Sequence, residues 1–138
     1  MRGWLDARAG ALAASGLLMA AAACAAPAAG PVAFSCRVEG AKLLQPAATD
    51  EAVCARFKAA LDGALGEATR TVADAGGADW VRVEVRFRRP GIVSARMTQA
   101  RGGAVVEHPE LNIAVSDRPL GLDTVDRLAR ETAGQLAG

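Results

Sequence analysis

The sequence predicts an α+β domain built as a two-layer sandwich in the order β-α-β-β-β-α. A mainly antiparallel four-stranded sheet would carry both helices on one face. Three observations support this. Apolar and polar residues alternate in "VAFSCRVE" (32–39) and in "DWVRVEVRFRRPG" (79–91), the period of a half-buried strand. Stretches 49–77 and 122–138 each carry one apolar stripe at helical spacing. Elements with a single apolar side must bury it against one another, and two layers achieve that. A ferredoxin-like variant is the nearest alternative.

The chain begins with a segment of different character. "MRGWLDARAG" supplies Arg2 and Arg8 with one acid, Asp6, and the next twenty residues, "ALAASGLLMAAAACAAPAAG", hold no charge. A basic start, an apolar stretch of roughly a dozen residues and small residues after it predict a bacterial secretory signal peptide. On this reading residues 1–25 are the signal and 26–138 form a single small exported domain. Alanine is only weakly apolar, and Pro27, Gly30 and Pro31 interrupt the far end, so the tract is too short to span a membrane comfortably. Two cleavages fit. "ACA" (Ala23–Ala25) has the small-x-small form of ordinary signal peptidase sites. "AAAC" resembles the lipobox of bacterial lipoproteins, with Ala21 at the position usually held by leucine. That resemblance implies lipidation of Cys24, which would tether the domain to a membrane by acyl chains without a spanning helix. The expected location is the periplasm, free or tethered.

The first strand follows. Val32, Phe34, Cys36 and Val38 take one face; Ala33, Ser35, Arg37 and Glu39 take the other. In the first helix Val53, Phe57, Leu61, Ala64, Leu65, Ala68 and Val72 recur at helical spacing, with Thr49 or Asp50 as cap and Gly76-Gly77 as the stop. Cys54 lies three residues before Phe57 and seven before Leu61, on the same stripe. The chain has three cysteines, and either cleavage removes or acylates Cys24. Cys36 and Cys54 then remain as an inward-facing pair in an oxidising compartment, where a disulfide is expected. C-x-x-C spacing is absent, so the expected role is a structural staple rather than a redox site.

The second strand places Val81, Val83, Val85 and Phe87 inward. Pro90-Gly91 turns the chain into a third strand with Val93, Ala95 and Met97 inward, a β-hairpin. Gly102-Gly103 opens the next connection. Pro109 interrupts the run after it, leaving Leu111, Ile113 and Val115 as the fourth strand. The last helix carries Leu122, Val125, Leu128, Ala129, Thr132 and Leu136 as its stripe, with Asp123 as the expected N-cap.

Composition excludes several functions. Without the first 29 residues, 14 of the 16 basic and 14 of the 15 acidic residues remain. A neutral domain is not a general nucleic-acid binder. One histidine, His108, and cysteines already assigned leave no ligand set for a metal, and no cofactor motif occurs. No G-x-S-x-G or phosphate-cradling glycine loop appears.

One feature exceeds background. Six arginines (82, 86, 88, 89, 96 and 101) stand between Trp80 and Arg101 against one acid, Glu84. Arg82, Arg86, Arg88 and Arg96 are expected to share the sheet's outward face, where they either keep an exposed sheet soluble or form an anion-binding surface for an envelope protein, an anionic lipid or a glycan. The first helical run leans acidic, through Asp50, Glu51, Asp62, Glu67 and Asp74. The expected function is therefore a disulfide-stapled accessory or binding domain of the cell envelope without chemistry of its own. Its rival is an exported enzyme whose site is assembled from dispersed carboxylates and arginines, with His108, Glu110 and Asp117 converging.

Overall fold

The structure, a computed structural model, describes residues 32–89 and 91–137; the segment expected to be a signal peptide, both expected cleavage sites, Cys24 and Pro90 lie outside them. The elements are β1 (Ala33–Glu39), α1 (Asp50–Leu65), β2 (Arg70–Thr71), β3 (Trp80–Arg89), β4 (Ile92–Arg101), β5 (Ala104–Glu107), β6 (Leu111–Ala114) and α2 (Leu122–Ala137). A 3-10 turn, Ala41–Leu43, links β1 to the approach of α1.

The fold is α+β, and its sheet is mixed and six-stranded rather than four-stranded, with three antiparallel and two parallel ladders among the described residues. The order is β2-β1-β3-β4-β5, with β6 also on β4. Two causes account for the difference. The connection from β1 through α1 returns the chain parallel to its start, so β1 pairs parallel with both β2 and β3. Proline cannot donate to a ladder, and Pro109 separates the expected fourth strand, β6, from β5, a strand the sequence pattern did not predict. The piece before it, β5, pairs with the Thr98–Arg101 end of β4, and the piece after it, β6, with the Ile92–Ala95 end.

The first helix is shorter than its stripe suggests. Thr49 caps it, accepting a hydrogen bond from the Ala52 N–H at 3.1 Å, with Asp50 and Glu51 in the first turn. It ends at Leu65 because Gly66 takes a left-handed conformation, φ 75°, and closes on the Asp62 carbonyl. Asp62 then holds the chain beyond: its Oδ1 accepts from the Thr69 N–H at 2.8 Å and from the Thr69 hydroxyl at 2.7 Å. Arg70–Thr71 can thereby join the sheet as β2. Ala68 and Val72, which continue the helical spacing, are off the helix. Val72 packs instead against Ala33, Trp80 and Ala100.

Both helices lie on one face of the sheet. Phe34, Val83, Val85, Phe87, Val93 and Met97 from the strands bury against Val53, Phe57 and Leu61 of α1 and Val125, Leu128 and Ala129 of α2. Gly121, not Asp123, starts α2: its carbonyl accepts from the Thr124 and Val125 N–H groups, while Asp123 sits in the first turn bonded to Arg118. Cys36 and Cys54 form a disulfide with their Cα atoms 5.9 Å apart, joining β1 to α1. Both residues are half-buried, and Cys36 packs against the core.

Candidate functional site

Because β1, β3 and β4 are consecutive in the sheet, their outward residues fall into cross-strand rows. Arg37, Glu84 and Arg96 form one row; Glu39, Arg86 and Ser94 form the next. Directly opposed residues in such rows lie within side-chain reach. Together they line a concavity of about 200 Å³, closed at one side by Glu110 and floored by Val85, whose side chain belongs to the opposite face. It is smaller than the ~300–1,000 Å³ pockets of drug-sized ligands, so it suits one small polar group.

The charges within it are unequally committed. Arg86 donates from Nε to Glu39 Oε1 at 3.0 Å, leaving its Nη groups without a partner among the described residues. Arg88 Nη2 reaches Glu110 Oε2 at 3.5 Å. Arg37 comes only within 3.9 Å of the exposed Asp74 carboxylate. Arg96 and Glu84 have no ion pair among the described residues. All these pairs are open to water and contribute little to stability.

Ser94 is the exception on this face. It is 1% exposed, and its hydroxyl has no hydrogen-bond partner among the described residues. Buried hydroxyls are normally satisfied, because an unpaired one costs about 1–3 kcal/mol. Here the group lines the concavity between Arg86, opposite it on β3, and Arg96, two residues along β4. A guanidinium presents five donors in a fixed fork, so two forks and a hydroxyl can hold an anionic oxygen pair.

The four arginines singled out from the sequence are thus divided. Arg86 and Arg96 meet at the concavity. Arg88 lies in the β-bulge between Phe87 and Arg89 and is turned to Glu110. Arg82 stacks over the Trp80 ring at 4.9 Å and lines a neighbouring dip with Ser35, Arg37 and Glu84. His108, Glu110 and Asp117 do not converge. His108 Nε2 lies 2.7 Å from Gln99 Oε1, Glu110 edges the concavity, and Asp117 lines a different one beside Arg118. Sequence reasoning missed Arg37, Glu39 and Ser94. The first two were marked outward on β1, but only the parallel β1–β3 pairing sets them beside Arg86 and Glu84. For Ser94 the signal was faint: a small polar residue on the same face as Arg96, two positions along the strand.

No protein-family model matches the chain, and no curated protein matches it. A solved structure described as "Crystal structure of uncharacterized protein" is similar over 77% of this chain and 85% of its own, with 13% identity and a TM-score of 0.42. At that level the likeness bears on no residue of the site.

Proposed function

We propose that the chain is a small exported binding domain of the bacterial cell envelope, stapled by its disulfide, that docks an anionic partner through the Ser94 hollow. One observation carries the reading: guanidiniums from three neighbouring strands line the same concavity as a buried hydroxyl that has no partner among the described residues. Export is supported by the character of residues 1–25 and by a disulfide, which persists in oxidising compartments. In the lipoprotein form Cys24 carries the acyl chains and the domain works at a membrane surface; in the other it diffuses freely. The reading assigns the domain no reaction, and the separate settings of His108, Glu110 and Asp117 favour binding over catalysis.

The test is retention on an acidic matrix across a salt gradient. The wild-type domain is expected to be held at low salt, and Arg86→Glu with Arg96→Glu to elute early. Equal retention of both proteins overturns the docking role. Intact mass of envelope-extracted protein separates acylated Cys24 from cleavage after Ala25.

A further inference from the structure

We propose that the group bound in the hollow is a single carboxylate, seated over Ser94 between Arg86 and Arg96. The proposal rests on the anion-docking reading above and names its ligand chemistry.

The charge pattern of the two rows points to this occupant. The first runs plus, minus, plus through Arg37, Glu84 and Arg96; the second runs minus, plus, neutral through Glu39, Arg86 and Ser94. Each charge faces its opposite across the strands, and Glu39 and Arg86 close that alternation with a hydrogen bond. The pattern has one vacancy. A negative group belongs where Ser94 stands, beside Arg86 and next to Arg96, and serine is too short to fill the place. What it leaves is a concavity lined by Ser94, whose buried hydroxyl has no partner among the described residues. The occupant must bring the missing charge.

The same surroundings limit that charge. Glu39, Glu84 and Glu110 also line the hollow. A phosphate dianion would meet three carboxylates while needing to satisfy more negative charge than the vacancy offers. A carboxylate carries one charge and two in-plane oxygens, matching a guanidinium fork on either side and the Ser94 hydroxyl.

The pattern can be completed from within the chain, which gives a test independent of the natural partner. Ser94→Asp places a carboxylate in the vacancy, and Ser94→Asn places a neutral group of the same shape. At pH 7 Ser94→Asp should melt above Ser94→Asn by about 4 °C or more. The gap should close as pH falls through the carboxyl's own range, because a carboxylate held by guanidiniums stabilises only while ionised. If Ser94→Asp melts below Ser94→Asn at pH 7, the position is an ordinary buried site and the proposal fails.

Binding supplies the second arm. In amide spectra of the oxidised domain, sodium acetate and an end-blocked peptide with one glutamate should both shift residues 84–86 and 94–96. Ser94→Asp should abolish the shifts, and inorganic phosphate should bind about tenfold more weakly or worse. Tighter binding of the peptide than of acetate marks a protein side chain as the source; equal binding marks a free acid. Phosphate binding as tight as acetate overturns the carboxylate assignment and leaves anion docking standing. No shift with either anion, together with unchanged matrix retention of the arginine variants, removes both.

Discussion

Reducing the Cys36–Cys54 disulfide should lower the melting temperature by roughly 14 °C, a figure that follows from the size of the loop it closes and of the domain. The two cysteines are 18 positions apart. Cross-linking a chain over that span removes conformational entropy from the unfolded state worth about 3 kcal/mol at 25 °C. The unfolding entropy of a domain of about a hundred residues is near 0.2 kcal/mol/K, which converts this loss into the stated shift. The folded state needs little rearrangement, because the intervening segment is already anchored: Ala41 and Leu44 are buried in the same core. The assay is a calorimetric or circular-dichroism melt of one preparation, oxidised and after reduction, beside the Cys36→Ser, Cys54→Ser double variant. The reduced protein and the variant should agree with each other. A drop below about 4 °C would mean that the bridge leaves the unfolded ensemble nearly as free as before, refuting the loop-entropy argument.

Four other substitutions test the packing. Partial burial pushes the Asp62 carboxyl up, but hydrogen bonds from Lys58 and Thr69 outweigh it and hold its pKa below the ordinary 3.8. Asp62→Asn should therefore cost about 1–3 kcal/mol at pH 7. A carboxyl with a depressed folded pKa stabilises above its unfolded value and ceases to as pH falls through the folded one, so denaturant titrations of wild type and variant should converge in acid. Gly40, at φ 83°, would bring an added Cβ to 2.6 Å from the Phe87 carbonyl oxygen, whereas Gly66, at φ 75°, has open space. Gly40→Ala should cost about 2 kcal/mol or more and Gly66→Ala about 1 kcal/mol, and equal melting temperatures would contradict the contact. Leu128 is fully buried between the layers, and Leu128→Ala should lose about 2–5 kcal/mol in a chemical denaturation series.

What the sequence revealed divides along physical lines. Alternation in β1, β3 and β4 and the stripe of α2 report burial, so the core-facing residues of these elements were readable, although Ala33 and Ser35 on the other face of β1 are buried as well. The disulfide was readable because parity and two inward-facing patterns agreed. The end of α1 was not, since Ala68 and Val72 keep helical spacing by chance while one left-handed glycine and the Asp62–Thr69 bonds decide the stop. Pairing partners were also hidden. Alternation says which way a side chain points but not which strand lies beside it, so the arginines of β3 and β4 could be counted before the acids beside them were known.

The parallel β1–β3 ladder also determines what the disulfide does for the hollow. On β1, Cys36 points inward between Ser35 and Arg37, which point outward, so one strand carries both the staple and part of the site. It would be natural to expect reduction to disturb binding. The ladder argues otherwise. All seven residues of β1 pair with β3, from Ala33–Trp80 to Glu39–Arg86, and Arg37 and Glu39 take their places from that register rather than from α1. The staple acts on the unfolded chain, and the register acts on the folded one. The reduced domain, kept well below its lowered melting point, should therefore bind acetate within about twofold of the oxidised domain while unfolding far earlier. Loss of acetate binding on reduction, with the amide spectrum otherwise native, would show that the bridge holds β1 in place and that the register alone does not.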